Sequence, residues 1–373
     1  MQRALELAAR GWFTADPNPR VGCVLVRDGR VVGEGWHERA GEAHAEARAL
    51  QAAGDAAADA TAYVTLEPCA AQGRMPPCTD ALRAAGVARV VYAVADPNPA
   101  KRGGARQLAA AGIAVEGGLL AAEARALNAG FFKRHEQGLP LVRVKLGVSL
   151  DGRSALANGA SRWITGDPAR KDAQQFRARS SVVLTGIGTI LGDDPAMNVR
   201  IPGADRQPLR VVLDSQLRSP PRARIFNREG PSLVFATAAD PARRAALEAA
   251  GARVEILSAG AGTDAGTAAG TGTGADGVAR VPLRPMLQRL AALQANEVWV
   301  EAGPTLAGAL LTEGLVDELI VYVAPCLLGP DARALAQLPP LRSLEQRLAL
   351  RFTDVRTIGD DLRITAAVLP KEH

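Results

Sequence analysis

Four residues stand where a hydrolytic metal centre would need them: His44, Glu46, Cys69 and Cys78. One imidazole and two thiolates fill three corners of a zinc tetrahedron and leave the fourth open, as a catalytic site requires. Zinc held in this way supplies a water that ionises near neutral pH. Glu46 lies two residues from His44 and is not needed as a ligand. Its carboxylate is therefore free to move a proton from water to a ring nitrogen and then to a leaving amine. A helix start beneath Cys69 or Cys78 would favour thiolate. A structural zinc site normally closes with four protein ligands, and no fourth donor falls at suitable spacing. His37 and His135 have no comparable partners and read as ordinary surface or hydrogen-bonded histidines.

A second group of segments begins after residue 140. Lys145-Leu146-Gly147-Val148-Ser149-Leu150-Asp151-Gly152-Arg153 ends an apolar run, and Ser161-Arg162-Trp163-Ile164-Thr165-Gly166 follows it. Next comes Thr185-Gly186-Ile187-Gly188-Thr189-Ile190-Leu191-Gly192-Asp193-Asp194-Pro195, which is not a true G-x-G-x-x-G and alone is weak evidence for a dinucleotide. The third segment adds weight. Glu297–Glu301 reads as a strand running into Ala302-Gly303-Pro304-Thr305 and then an apolar helix, Leu306–Leu311. Free N–H groups at a helix start make an anion site, and glycine admits a phosphate. Arginines suit a phosphate-bearing substrate.

The order H-x-E…P-C…C is that of nucleobase and nucleotide deaminases. The common form has P-C-x-x-C, whereas eight residues (AAQGRMPP) separate Cys69 from Cys78 here. Thr65-Leu66-Glu67-Pro68-Cys69, Gly73-Arg74, Pro76-Pro77-Cys78 and Pro17-Asn18-Pro19-Arg20-Val21-Gly22-Cys23-Val24 resemble the deaminase half of the bifunctional riboflavin-biosynthesis deaminase/reductase family. The segments after residue 140 resemble its reductase half. The likeness covers nearly the whole chain, except the 259–280 tract and a divergent tail after about residue 335.

The resemblance implies an α/β protein with an N-terminal cytidine-deaminase-like three-layer domain and a C-terminal dihydrofolate-reductase-like α/β domain. It implies one Zn2+ per chain, on His44, Cys69 and Cys78, and NADPH as the second cofactor. It places Asn18 in the pyrimidine pocket. Gly147, Trp163, Thr189, Asp193, Ser215 and the run Gly303, Pro304, Thr305, Leu306, Ala307, Gly308, Ala309 would line NADPH. Ser161, Arg177, Met197, Arg200 and Glu301 would line the substrate, with Lys145, Asp151 and Glu301 able to orient or protonate an opening sugar. The implied reactions are hydrolysis of the 2-amino group of 2,5-diamino-6-ribosylamino-4(3H)-pyrimidinone 5′-phosphate, then reduction of the ribosyl group to ribityl. The product is 5-amino-6-(5-phosphoribitylamino)uracil. A homo-oligomer, dimer or tetramer, is expected. The alternative is a nucleotide or tRNA deaminase with an unrelated C-terminal domain. A non-catalytic binding module would have no use for Glu46.

The elements that must position these residues alternate along the chain. A helix is expected over 2–11, strands over 21–26 and 30–35 around an Asp28-Gly29 turn, and a helix over 44–53 ending at Gly54. Strands follow at 62–66, 89–93 and 114–116, with helices at 79–85, 104–111 and about 121–134, so a mostly parallel sheet is expected. The polar stretch His135–Pro140 suggests a boundary, giving a deaminase domain over 1–138 and a reductase domain over 139–373. Further strands are expected at 142–148, 182–185, 209–214, 233–236, 297–301 and 318–324. Residues 259–280 are a Gly/Ala/Thr tract too poor in apolar bulk to pack and read as a flexible insertion.

Composition bounds the rest. The chain has 373 residues, 47% hydrophobic and 22% charged, with a net charge of +5 spread over scattered arginines and no basic stripe. That argues against nucleic-acid binding. No apolar run is long enough to span a membrane, and Met1-Gln2-Arg3-Ala4-Leu5-Glu6 reads as a helix and not a leader, so a cytoplasmic location is expected. Four cysteines do not make a disulfide framework; Cys23 and Cys326 read as small core residues.

Overall fold

The computed structural model describes residues 1–72, 76–204, 206–238, 240–257 and 279–370. Contacts divide the chain into two compact units, Met1–Leu139 and Pro140–His373. The first contains α1 (Gln2–Ala9), β1 (Gly22–Arg27), β2 (Arg30–Trp36), α2 (Ala45–Ala53), β3 (Thr61–Val64), α3 (Cys78–Ala84), β4 (Arg89–Tyr92), α4 (Gly104–Ala110), β5 (Ala114–Gly117), α5 (Ala121–Leu127) and α6 (Ala129–Gln137).

The sheet order is β2-β1-β3-β4-β5. It is mixed: β1 is antiparallel to β2 and β3, and β4 is parallel to β3 and β5. The expected mostly parallel sheet is corrected on this point. The Asp28-Gly29 turn, with φ of 49° and 72°, folds β2 straight back on β1, which a parallel crossover cannot do. Alternation along β1 sorts its two faces. Cys23 and Leu25 pack with Ala45 and Ala49 of α2, while Val24 packs with Ala4 and Leu7 of α1, so helices cover both faces in three layers.

The single helix expected over 121–134 is two, broken at Asn128. The Asn128 side-chain amide donates to the Arg20 carbonyl and accepts from the Arg20 N–H, both at 2.8 Å. Residues 135–137 finish α6, and Gly138 ends it in the left-handed conformation, so the polar stretch is partly helix.

The second unit contains β6 (Leu141–Ser149), β7 (Arg153–Ala155), α7 (Asp167–Arg179), β8 (Val182–Gly186), α8 (Ile187–Asp193), β9 (Leu209–Leu213), β10 (Ser232–Ala236), α9 (Pro241–Ala249), β11 (Ala252–Ile256), α10 (Leu283–Ala292), β12 (Glu297–Glu301), α11 (Pro304–Thr312), β13 (Glu318–Ala324), β14 (Arg333–Ala334), β15 (Leu350–Ile358) and β16 (Asp361–Val368). Among the described residues the main sheet runs β11-β10-β9-β8-β12-β6-β13-β16-β15. It is parallel from β11 to β13, and β16 and β15 join antiparallel. Phe176 of α7 and Leu247 of α9 pack against Val183, Val212, Val234 and Trp299, and the Phe176 and Trp299 rings stack at 4.8 Å. Within the tail beyond residue 335, Leu350–Ile358 and Asp361–Val368 form a hairpin that is integral to the sheet. Cys326 is half-buried and not a core residue. Residues 259–278 of the Gly/Ala/Thr tract lie outside the described residues; Ala279 accepts a hydrogen bond from Thr237 Oγ1 at 3.3 Å.

Candidate active sites

Three elements of the first unit bring the metal candidates together. His44 is the N-cap of α2, Cys69 sits in the loop after β3, and Cys78 opens α3. Their donor atoms lie within 4.8 Å of one another. His44 Nδ1 is 3.2 Å from Cys78 Sγ and 3.7 Å from Cys69 Sγ. Both sulfurs are buried, and the Cys78 N–H donates to Cys69 Sγ at 3.3 Å. The Cys78 thiol and the His44 ring draw the Cys69 thiol down against its burial, while the bond to Cys69 and burial push Cys78 up. Two close buried sulfurs that cannot both be ionised without a cation, beside an imidazole, fit zinc. Glu46, in the first turn of α2, is 4% exposed, and burial pushes its carboxyl above the usual range despite the opposing pull of His44. That suits a group that must both take and return a proton.

Several residues that shape this centre were not legible as site residues. Glu67 is buried, and its carboxylate accepts N–H bonds from Asp96 (3.2 Å), Gly103 (3.1 Å) and Ala105 (3.0 Å). It therefore laces the Cys69 loop to the loop leading into α4. Its place in Thr65-Leu66-Glu67-Pro68-Cys69 was the available signal, but nothing in the sequence shows where its oxygens point. His37 is 2% exposed and not on the surface; its Nε2 is 3.0 Å from Asn18 Nδ2 and its ring meets the His44 ring edge-on at 5.5 Å. The half-buried Asn18 is thereby placed one ring away from the metal candidates. His135 is half-buried, against the Phe131 ring at 4.6 Å.

In the second unit most of the expected residues gather at the carboxyl ends of four neighbouring parallel strands, β6, β12, β8 and β9, where open α/β sheets bind ligands. Gly147 lies on β6, Thr189 and Asp193 on α8 just after β8, Ser215 just after β9, and Gly303 just after β12. Lys145 is register-paired with Glu301 across β6 and β12. Glu301 binds Arg177 through two parallel contacts, Arg177 Nε to Oε1 and Nη2 to Oε2 (2.7 Å), and accepts from Trp299 Nε1 at 2.8 Å. Burial pushes the Glu301 carboxyl up, but Arg177, Lys145 and the Trp299 N–H together hold it down at about 2. Burial lowers Lys145, which Glu301 partly offsets. Arg177 Nη1 also donates to the Asn198 carbonyl at 3.1 Å, tying in the loop that carries Met197 and Arg200.

The remaining residues differ in environment. Gly303 is the N-cap of α11 and has open space where a side chain would be, which fits a phosphate at that helix start. Gly308 has another use: a Cβ there would lie 2.0 Å from the Gln337 carbonyl oxygen, so this glycine admits a chain crossing. Ala307 is fully buried, Leu306 and Ala309 are half-buried, and Pro304 opens the helix. Thr305 Oγ1 donates to Gln337 Oε1 at 3.1 Å. Trp163 is 69% exposed with the Arg170 guanidinium 4.3 Å from its ring centre, an open stacking surface. The half-buried Ser161 accepts from the Ile164 N–H at 3.2 Å. Met197 is buried in the core cluster, while Arg200 is exposed and its N–H donates to Gln174 Oε1 at 3.0 Å. Asp151 accepts from the N–H groups of Leu328 (3.1 Å) and Gly329 (2.8 Å) and from Ser149 Oγ, which leads in holding its carboxyl down at about 2.

Residues 1–94 match the cytidine and deoxycytidylate deaminase zinc-binding region, and residues 140–364 match the RibD C-terminal domain. The riboflavin biosynthesis protein RibD of Escherichia coli is 48% identical over 375 residues, spanning 97% of this chain and 96% of that protein. The Haemophilus influenzae RibD is 43% identical, spanning 98% and 95%. A solved structure of Acinetobacter baumannii RibD has a TM-score of 0.89 at 42% identity, covering 99% of this chain and 98% of that one. A diaminohydroxyphosphoribosylaminopyrimidine deaminase/5-amino-6-(5-phosphoribosylamino)uracil reductase from Thermotoga maritima has a TM-score of 0.83 at 28% identity, covering 99% and 97%. Zinc and NADPH are the cofactors of the two halves. The chain belongs to the bifunctional riboflavin-biosynthesis family that joins a zinc-dependent deaminase to a reductase.

Proposed function

We propose that residues 1–138 deaminate 2,5-diamino-6-ribosylamino-4(3H)-pyrimidinone 5′-phosphate and that residues 139–373 reduce the ribosyl group of the product to ribityl. The convergence of His44, Cys69 and Cys78 beside the buried acid Glu46 carries the first half of this reading. Zinc would supply the activated water and NADPH the hydride. Within the deaminase site Glu46 takes a proton from the attacking water and gives it to the ring nitrogen. It then takes the proton of the newly added hydroxyl and hands it to the amino group, which leaves as ammonia while the ring carbonyl forms. Asn18 holds the pyrimidine.

In the reductase site Lys145 gives a proton to the opening sugar; burial makes it a readier donor than an ordinary lysine. Glu301, kept ionised by Arg177, orients the sugar. Asp151 orders the 328–329 loop, because a carboxyl held at about 2 is no donor near neutrality. Ser161, Met197 and Arg200 complete the substrate side. Gly147, Trp163, Thr189, Asp193, Ser215 and residues 303–309 hold the cofactor. The molecule works as a homo-oligomer, dimer or tetramer, in the cytoplasm; the exposed Phe352 and Val355 on the edge strand β15 support association.

The test is zinc analysis combined with a coupled assay on the diaminopyrimidine phosphate. Without NADPH the deaminated ribosylamino compound should accumulate; with NADPH it should be consumed as nicotinamide absorbance falls. Deamination of dCMP or tRNA in place of this substrate would overturn the reading.

A further inference from the structure

His37 has no role in the steps above, yet it is one of the few polar side chains sealed into the first unit. Its Nδ1 lies 3.2 Å from the carbonyl oxygen of Ala43, the residue just before His44. A carbonyl only accepts, so Nδ1 must carry a proton. The side-chain nitrogen of Asn18 faces Nε2 at 3.0 Å and an amide nitrogen only donates, so Nε2 accepts through a lone pair. The opposite orientation would set a carbonyl oxygen against a lone pair.

The consequence reaches the substrate. Among the described residues Asn18 Oδ1 accepts no hydrogen bond, so it is the end of the amide left to meet a ligand. We propose that His37 is a positioning residue that locks the Asn18 amide with its oxygen toward the pocket, so that the site selects a pyrimidine edge presenting an N–H donor over one presenting a carbonyl. The chain of dependence is short: the Ala43 carbonyl fixes the His37 tautomer, the tautomer fixes the amide, and the amide fixes the hydrogen-bond polarity offered to the ring. This rests on the proposed deaminase function of the first unit.

Two substitutions separate the lock from mere packing. His37→Phe keeps a flat ring against His44 but removes both nitrogens. His37→Gln can accept from Asn18 through its oxygen and donate to Ala43 through its nitrogen. In the zinc-loaded full chain, His37→Phe should raise the deaminase KM about tenfold, with kcat within about threefold and zinc near one equivalent. His37→Gln should restore KM to within about threefold of the unsubstituted protein. Independently of activity, nitrogen NMR of the histidine rings should show Nδ1 protonated and Nε2 bare at neutral pH, with the His37 signals assigned by their loss in His37→Gln. A protonated Nε2, an unchanged KM in His37→Phe, or a His37→Gln no better than His37→Phe would each overturn the proposal. Should His37→Phe lose zinc, the ring-nitrogen spectrum and His37→Gln decide. Failure of the unsubstituted protein to deaminate the diaminopyrimidine phosphate would instead sink the proposed function, and the NMR result would still report on the His37–Asn18 pair.

Discussion

Gly104 and Pro68 touch so closely that a Cβ on Gly104 would lie 1.8 Å from the Pro68 carbonyl oxygen. The same Cβ would be 3.1 Å from Thr79 Cγ2, so two of the three ligand-bearing segments press on one glycine. Gly104→Ala must therefore shift the Cys69 loop or the start of α4 that faces it. We expect zinc affinity, read by competition with a chromophoric chelator, to fall about 10- to 100-fold, the usual cost of disturbing the shell around metal ligands. The reductase should be unaffected. Unchanged affinity would show that the loop relaxes without cost.

Glu67 ties the same loop to the two residues that flank Gly104. Glu67→Ala leaves the N–H groups of Asp96, Gly103 and Ala105 without this acceptor. Each lost partner in a buried site costs about 1–3 kcal/mol. Faster zinc release to chelator than in Glu67→Gln, whose amide oxygen can still accept, is the expected outcome. Equal release rates in the two variants would mean that the hydrogen bonds do not set the loop.

Glu46→Gln should keep one zinc and full reductase activity while deamination falls by about 10²–10⁴-fold. Metal analysis and the two half-reactions, assayed separately, check this. Residual deamination within about threefold of the unsubstituted protein would remove Glu46 from the proton path.

If Lys145 donates its proton, reduction should decline as pH rises through the Lys145 pKa, and that pKa lies below the ordinary lysine value because burial lowers it. The protonated form is the active one, so the limb is alkaline and descending. Lys145→Met should remove the limb and about 10²-fold or more of kcat, with deamination intact. A profile identical in Lys145→Met and the unsubstituted protein would exclude the role.

Breaking the Arg177–Glu301 pair should be costly in a different way. Both side chains are nearly buried, at 10% and 14% exposure, so Arg177→Ala strands a carboxylate. Removing one partner of such a pair typically costs about 3–5 kcal/mol. A lowered thermal midpoint of the second unit, measured with the substrate absent, is expected; an unchanged midpoint would show that water or Lys145 replaces the guanidinium.

Motifs made the zinc centre legible because its ligands sit at element ends, where local sequence dictates the turn: a helix start at His44, a Pro-Cys after a strand, a Cys opening a helix. Segment periodicity likewise exposed β6, β8, β9, β12 and β13, since buried parallel strands read as continuous apolar runs. What stayed hidden depends on distant partners. His37 acquires its meaning from Asn18, and Gly104 from Pro68, through contacts no spacing encodes. The outer strand β15 escaped because it is exposed along most of its length and so carries no apolar run, and α7 because its buried side is made of alanines, Gln174 and Arg177 with Phe176 as its one large apolar side chain.

The order in which β6 finds its neighbours has a consequence for how the chain is born. Leu141 pairs with Glu297 on one side and Arg143 with Glu318 on the other, so both partners of this central strand emerge from the ribosome late. Closing such long loops costs entropy before any contact repays it, which makes sheets of this connectivity slow to form. The sheet of the first unit, by contrast, is complete by Gly117. During synthesis the deaminase half can assemble while Val142, Val144, Leu146 and Val148 still lack their flanking strands, and this apolar strand is where a nascent chain of this protein is most open to misassociation or to a chaperone.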